Sequence, residues 1–440
     1  MIEKAAGLWG KAGQRSLERS ALIEAAEQLR RALDQIANLP TTTTLRREEI
    51  ELQVALITPL LHIKGYAAPE TKAAAERARI LIEHAEALAE PPDDPLLLFS
   101  VLYTVWTSNY VASNGDAVRD LSAQFLALAE KHGATGPLLI AHRIMGISLA
   151  TTGDIATGRA HFDRALALYD PAEHRALATR FSVDAAMSIL SYRSWTIWAL
   201  GYPEAALADA DNAIKIARDI GQASTLMYAL DLTAYTLIHC GNYAAASMQT
   251  NELAELADEK GSPFWLAFGG MNRGCLSALT GKPSYGVQML TIGIDAHRST
   301  GARHFLPWYL SILSYAYSEL GQFDDAWRCI GEAMTALETT KERWGEAEVN
   351  RIAGELALLS PKRDFAKAQR HFERALSIAG QQQAKSLELR AAMSLARLWR
   401  DQGKPQQARE LLAPVYGWFT EGFDTRDLKE AKALLEELTV

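Results

Sequence analysis

The chain has 440 residues, 48% hydrophobic and 22% charged, a composition that can bury a large core and excludes an intrinsically disordered protein. Its formal net charge is −8 and its isoelectric point about 5.8, so the basic footprint that neutralises phosphate backbones is missing and nucleic acid is not an expected partner. Three widely separated cysteines, Cys240, Cys275 and Cys329, form no CxxC pair, which predicts neither a disulfide framework nor a zinc site and suits a reducing compartment.

The opening MIEKAAGLWGKAG carries an acid at position 3 and lacks a long apolar core, so it does not read as a secretory leader. Over residues 1–134 the sequence predicts less regular helical hairpins, one carrying Trp9, Gly13, Ala25, Leu29 and Ala32, and others turning near Gly65 and Gly115. The longest apolar run, Pro95 to Trp106, is shorter than the ~20 residues of a membrane span, so a cytoplasmic location is expected and a membrane partner is not. The pairs Arg46-Arg47 and Lys362-Arg363 read as solvated helix faces.

From residue 135 the pattern becomes regular. Turn glycines at Gly201 (ALGYPEAA), Gly241 (HCGNYAAA), Gly281 (LTGKPSYG) and Gly321 (ELGQFDDA) recur every 40 residues. The series extends to Gly153 (TTGDIATG) and Gly403 (DQGKPQQA), and the intervening copy turns through SPKRDF at 360–365. Each unit reads as an apolar-periodic helix, a short turn, a second amphipathic helix and a polar or Gly/Pro break. In the copy at 139–171, the small residues Gly146, Gly158 and Ala165 allow close helix approach while Phe162 fills the space beside them. At the end, Asp424-Thr425 offers an N-cap and Leu428, Ala431, Leu434 and Leu435 form one apolar stripe. Residues 421–440 are therefore expected to be a capping helix on the array that spans 135–420.

These units, and HFERALSIA at 371–379 in particular, resemble tetratricopeptide repeats. A period of 40 against the usual ~34 implies about one extra helical turn per hairpin. Long-repeat arrays of this type are similar to those of bacterial transcription activators and signalling ATPases. KAGQRSLERSALIEAAEQLRRAL at 11–33, LARLWRDQGKPQQARELLAPVYGWF at 395–419 and the segment Pro414 to Leu438 resemble the repeat region of a group of bacterial multidomain proteins. In that group a class III adenylate/guanylate cyclase domain and a P-loop ATPase domain precede the repeats. The resemblance implies an all-α, tetratricopeptide-like α-α superhelix, a solenoid of about ten hairpins with a C-terminal capping helix. It further implies control of cyclase and ATPase domains in the same or an associated chain.

A search for chemistry finds no catalytic seat. GDIATGRA at 153–160 spaces two glycines as a P-loop does, but Arg159 and Ala160 replace the lysine and the hydroxyl residue and no strand precedes it. TGKPS at 280–284 is likewise a hairpin turn. His161 and His371, beside Phe162 and Phe372, read as packed side chains, and Cys240 and Cys275 as small core residues. No catalytic residue, cofactor or metal site is expected, and the chain is not expected to be an enzyme.

The concave side of stacked hairpins, lined by each first helix, is the natural binding surface. Its predicted inward positions are Trp195 and Trp198, then Tyr228, Asp231 and Tyr235, then Phe268, and then Trp308 and Tyr315. Such aromatic residues dominate binding hot spots, although any one of them could instead pack between repeats. Asn109, Arg143, Asp231 and Arg273 could orient a peptide or small ligand, and Arg273 could alternatively pair with an acidic neighbour. The expected function is a non-catalytic scaffold or sensor that grips a protein or peptide along this face. The alternative is a regulator in which a small ligand changes the superhelix curvature.

Overall fold

Positive backbone φ punctuates the middle of the chain every 20 residues, at Gly201, Gly221, Gly241, Gly261, Gly281, Gly301 and Gly321, and then at Lys341. A helix that ends in this left-handed conformation favours glycine because no Cβ obstructs it. The 40-residue period read from the sequence is thus two equal steps, one turn inside each hairpin and one between hairpins. The computed structural model describes residues 2–18, 21–90 and 94–439; residues 19–20, inside the N-terminal stretch that carries the cyclase-type resemblance, lie outside the described residues.

The described residues form 22 α-helices and no strand, and the chain divides into two compact units. The first unit comprises Met1–His132 and the segment Arg298–Arg303. It contains α1 (Ile2–Glu18), α2 (Leu22–Ile36), α3 (Thr43–Lys64), α4 (Pro69–Ala87), α5 (Leu97–Val111) and α6 (Gly115–His132). Its core is built by Leu29, Ile50, Leu56, Leu60, Ala78 and Ile82, and the Arg303 amide donates to the Val111 carbonyl at 2.8 Å. The apolar run at Pro95 to Trp106 is mostly α5; no helix among the described residues is long and apolar enough to cross a membrane.

The second unit comprises Gly133–His297 and His304–Val440. Its hairpins are α7 (Thr135–Thr151) with α8 (Ile155–Leu168), α10 (Ala185–Ala199) with α11 (Pro203–Ile220), and α12 (Ala223–His239) with α13 (Tyr243–Glu259). They continue as α14 (Pro263–Leu279) with α15 (Pro283–Ser299), α16 (Leu306–Glu319) with α17 (Phe323–Thr340), α18 (Glu346–Leu359) with α19 (Phe365–Gln381), and α20 (Lys385–Asp401) with α21 (Pro405–Tyr416). The single helix α22 (Arg426–Glu437) follows. Counting both units, ten consecutive hairpins and a last helix make an all-α, tetratricopeptide-like solenoid. A one-turn α9 (Pro171–His174) and a 3₁₀ turn at Arg175–Thr179 are inserted after α8, which is why Gly153 and Gly201 are not one period apart.

Two kinds of helix alternate. In α10 every residue except Arg193 is buried, whereas α11 buries a stripe that includes Ala206, Ala210, Ala213 and Ala217 and leaves its other side in water. Small residues set the helix spacing: a Cβ added at Gly146 would lie 2.6 Å from the Phe162 ring, and one at Gly354 would lie 2.4 Å from Phe372. At the end of the array, Leu428, Ala431 and Leu434 of α22 are buried in one cluster with Leu389, Ala408 and Leu412, while Leu435 is only partly covered. Thr425 is the N-cap residue of α22, but its hydroxyl donates to the Gly422 carbonyl at 2.6 Å and caps no amide.

Within this second unit the first helices pack in succession from α10 to α20, and α20 then returns to α10. The Ser386 hydroxyl donates to the Trp198 carbonyl at 2.6 Å, and Ile197, Leu200, Ala347, Ile378 and Leu387 share one apolar cluster at that junction.

Candidate functional site

Packing between successive first helices, and of α20 on α10 at Trp198, decides where the expected groove residues end up. Trp195, Trp198, Asp231, Tyr235, Phe268 and Trp308 are all buried. Trp195 packs on Trp344 at 5.2 Å between ring centroids, Trp198 stacks on His239 at 4.1 Å, and Tyr235 contacts Phe305, Trp308, Tyr309 and Trp344. Phe268 lies against His297 and Tyr309. These rings bind the first helices to one another, and of them Trp308 also borders a cavity. Tyr228, Arg273 and Tyr315 stay partly exposed; the Tyr228 hydroxyl lies 3.2 Å from Ser188 Oγ, and Arg273 Nε donates to Asn251 Oδ1 at 3.1 Å. Asn109, in the first unit, accepts from Lys72 at 3.0 Å, and Arg143 is buried with Nη2 donating to the Phe181 carbonyl at 3.3 Å.

Inside the second unit lies a cavity of about 280 Å³. Its apolar lining includes Trp308 and Ile312 of α16, Ile352 and Leu359 of α18, and Met393 of α20. Its charged lining is four arginines, Arg351, Arg390, Arg397 and Arg426, matched by four carboxylates, Glu348, Glu355, Asp427 and Glu430. Of the residues expected at a binding face, the structure brings Trp308 and Tyr315 to this cavity.

The charges are held in fixed pairs. Arg351 donates from Nε and Nη2 to the two Glu348 oxygens at 2.9 and 2.8 Å, a bidentate geometry. Arg390 donates from Nε to Asp427 at 2.6 Å and from Nη2 to the His239 carbonyl at 2.9 Å, and its guanidinium lies over the Trp198 ring at 4.9 Å. Arg426 grips Asp427 from the other side at 2.8 Å, and the Ser394 hydroxyl donates to Glu355 at 2.6 Å. Burial alone would raise the Glu348 carboxyl, but Arg351 and Arg390 outweigh it and hold it well below the usual carboxylate range. Asp427 is lowered in the same way, burial being overcome by Arg390 and Arg426. His239 is driven the opposite way: burial, then Arg390, pushes it down to about 3, so its ring is neutral and its buried Nε2 has no hydrogen-bond partner.

The arrangement suits recognition. Among the described residues no group of three or more His, Cys, Asp or Glu side chains is placed to hold a metal ion. His161 is buried, its Nδ1 2.9 Å from that of His142, and burial lowers it to about 4. Burial raises both the Cys240 and Cys275 thiols.

Sequence reasoning missed the charged half of this site. Its signal is Glu348, Arg351 and Glu355 on α18 and Arg390, Ser394 and Arg397 on α20, polar residues at helical spacing on first helices that are otherwise apolar inward. The capping helix also contributes wall residues, Arg426, Asp427 and Glu430, beyond its cap stripe.

No family model matches the chain. It is 24% identical over 408 residues to an uncharacterized protein, R02095, of Rhizobium meliloti (strain 1021), an alignment that covers 90% of this chain and 38% of that protein. The chain thus spans well under half the length of this curated relative. Among solved structures it is similar to a Rap protein complexed with competence and sporulation factor, with a TM-score of 0.56, 12% identity, and coverage of 89% of this chain and 99% of that one. It is also similar to a chain of the APC/C hetero-tetramer Cut9–Hcn1, with a TM-score of 0.55, 12% identity, and coverage of 99% and 76%. At such identities the likeness establishes a shared helical-repeat fold.

Proposed function

We propose that the chain is a non-catalytic binding module, a sensor that takes a short stretch of a protein or peptide into the cavity between α16, α18, α20 and α22. The observation that carries this reading is the pairing of an apolar floor with eight charges of balanced sign, of which Arg351–Glu348 and Arg390–Asp427–Arg426 are held in fixed pairs. The floor would hold a side chain and the charges would orient a polar backbone or end group. Tyr315, at the half-exposed edge, supplies an aromatic contact; Tyr228 and Arg273 offer further contacts on α12 and α14. In context, the bound state would be read by cyclase and ATPase domains in the same or an associated chain. The sequence resemblance supports this, and so does the greater length of the Rhizobium meliloti relative.

A small-ligand sensor is the second reading, favoured by cavity size: 280 Å³ is just below the roughly 300–1,000 Å³ of small-molecule sites and suits a small metabolite better than a long peptide. Peptide display against the whole chain tests the first. Leu359→Trp fills the cavity from an exposed position, and selected peptides should bind it about tenfold more weakly, with helicity unchanged. Peptides that bind the filled variant as well as the parent would sink the proposal. Stabilisation by one metabolite that no peptide displaces would favour the second reading.

A further inference from the structure

The deep end of the cavity is closed. His239, Glu348, Arg390 and Asp427 are each less than a tenth exposed, so an occupant that reaches them must pass a movable wall. The fold supplies one at the junction where the second unit closes on itself. Near α10, α19 and α20 that junction is apolar, built by Ile197, Leu200, Ile378 and Leu387. Near α11, α12 and α22 it is hung on polar contacts made by residues 417–427, together with the buried bond from Arg390 of α20 to the His239 carbonyl of α12.

Glu421 and Glu204 exchange backbone hydrogen bonds there. Glu421 Oε1 accepts from the amides of Glu204 and Ala205 at 2.9 and 3.1 Å, at the N-terminus of α11, and Glu204 Oε1 accepts from the Gly422 amide at 2.7 Å. Trp418 lies against Gly201, where an added Cβ would come within 2.4 Å of its ring, and packs edge-on to Tyr202. Arg426 lies against Gly241 and donates to the Tyr243 hydroxyl. Glu204 and Trp418 are exposed and Glu421 is partly so, so water can reach the two carboxylates and take over their hydrogen bonds once the buried Gly422 lifts off Pro203. In contrast, α22 is fixed to α20 and α21 by a continuous apolar cluster. An opening motion would therefore carry α20 to α22 away from α11 to α13 about the apolar junction.

We propose that residues 417–427 are a clasp that holds the second unit closed over its cavity and lets α22 swing off α12 when it releases. The gating role rests on the binding reading above; the clasp itself does not. Cys240, at the C-terminal end of α12, reports the motion. Its thiol is 6% exposed, pushed up to about 12 by burial and then Asp427, and flanked by Arg390, Asp424 and Arg426, so release of α22 uncovers it. Cys275 on α14 and Cys329 on α17 are buried elsewhere and serve as internal controls. The experiment is iodoacetamide labelling of the whole chain, followed by peptide mass spectrometry, on the parent and on Glu204→Ala/Glu421→Ala.

Cys240 should label about tenfold faster in the variant, with Cys275 and Cys329 unchanged. An unchanged Cys240 rate overturns the clasp. A rise at all three cysteines overturns it too, because the loss would then be general loosening. Labelling is read without any ligand, so a failed clasp leaves the binding reading intact, and a failed peptide selection leaves the clasp intact.

Discussion

Replacing Asp231 by asparagine should make the protein more stable at neutral pH, by an amount that grows with pH. Asp231 sits inside the second unit at the end of a chain of donors: the Tyr235 hydroxyl donates to Tyr309, Tyr309 to Asn272 Oδ1 at 2.8 Å, and Asn272 Nδ2 to Asp231 Oδ1 at 2.9 Å. Burial pushes its carboxyl from 3.8 up to about 8, and the bond from Asn272 opposes this only in part. With a folded value above the unfolded one, the folded state holds the proton more tightly. Its contribution is fully present below about pH 4 and is lost as pH rises towards 8. At ~1.4 kcal/mol per pH unit, the parent loses about 4 kcal/mol between pH 5 and 8 through this one group. Asparagine has the same shape, can still accept from Asn272 and does not titrate. The assay is urea unfolding of parent and D231N at several pH values. The stability difference should widen by about 4 kcal/mol from pH 5 to 8. Parallel pH profiles would refute the reasoning and show that Asp231 folds as an ordinary ionised carboxylate.

Removing Arg390 takes one of two arginines from each of the buried carboxylates Asp427 and Glu348, leaving Arg426 and Arg351 in place, so Arg390→Ala should cost ~1–3 kcal/mol by denaturant unfolding, and adding Asp427→Asn should recover part of it. Gly354→Ala drives a Cβ into the Phe372 ring and should cost ~1–3 kcal/mol, whereas Gly331→Ala, with nothing within 4 Å, should gain ~0.5–1 kcal/mol. Lys341 ends α17 at φ 60, where the 20-residue series elsewhere places glycine; Lys341→Gly should raise the unfolding midpoint modestly, by about 0.5 kcal/mol in stability.

The fold was legible because its information is local and repeated. A left-handed turn favours glycine wherever it occurs, and Gly201, Gly241, Gly281 and Gly321 announce it at one interval; the pairing of Gly146 with Phe162 follows from volume alone. The inserted α9 and the membership of Arg298–Arg303 in the first unit were not legible, since neither leaves a periodic trace.

The site was half legible for a related reason. Facing inward on a first helix is a local property, and the aromatic positions were correctly placed on those helices. Whether an inward face meets solvent or another helix depends on how far successive hairpins rotate, and that small angle is summed over the array before α20 either meets α10 or misses it. It does meet it, through Ser386 and Trp198, 188 residues apart. Along the way, uncharged rings such as Trp195 and Tyr235 gain by being enclosed between neighbouring helices. Charged residues on the same faces must find counter-charges there, and they do so at Arg351–Glu348 and Arg390–Asp427. In the second unit most of the aromatic inward residues pack between helices, Trp308 and Tyr315 border the cavity, and the paired charges line the space that the packing leaves unfilled.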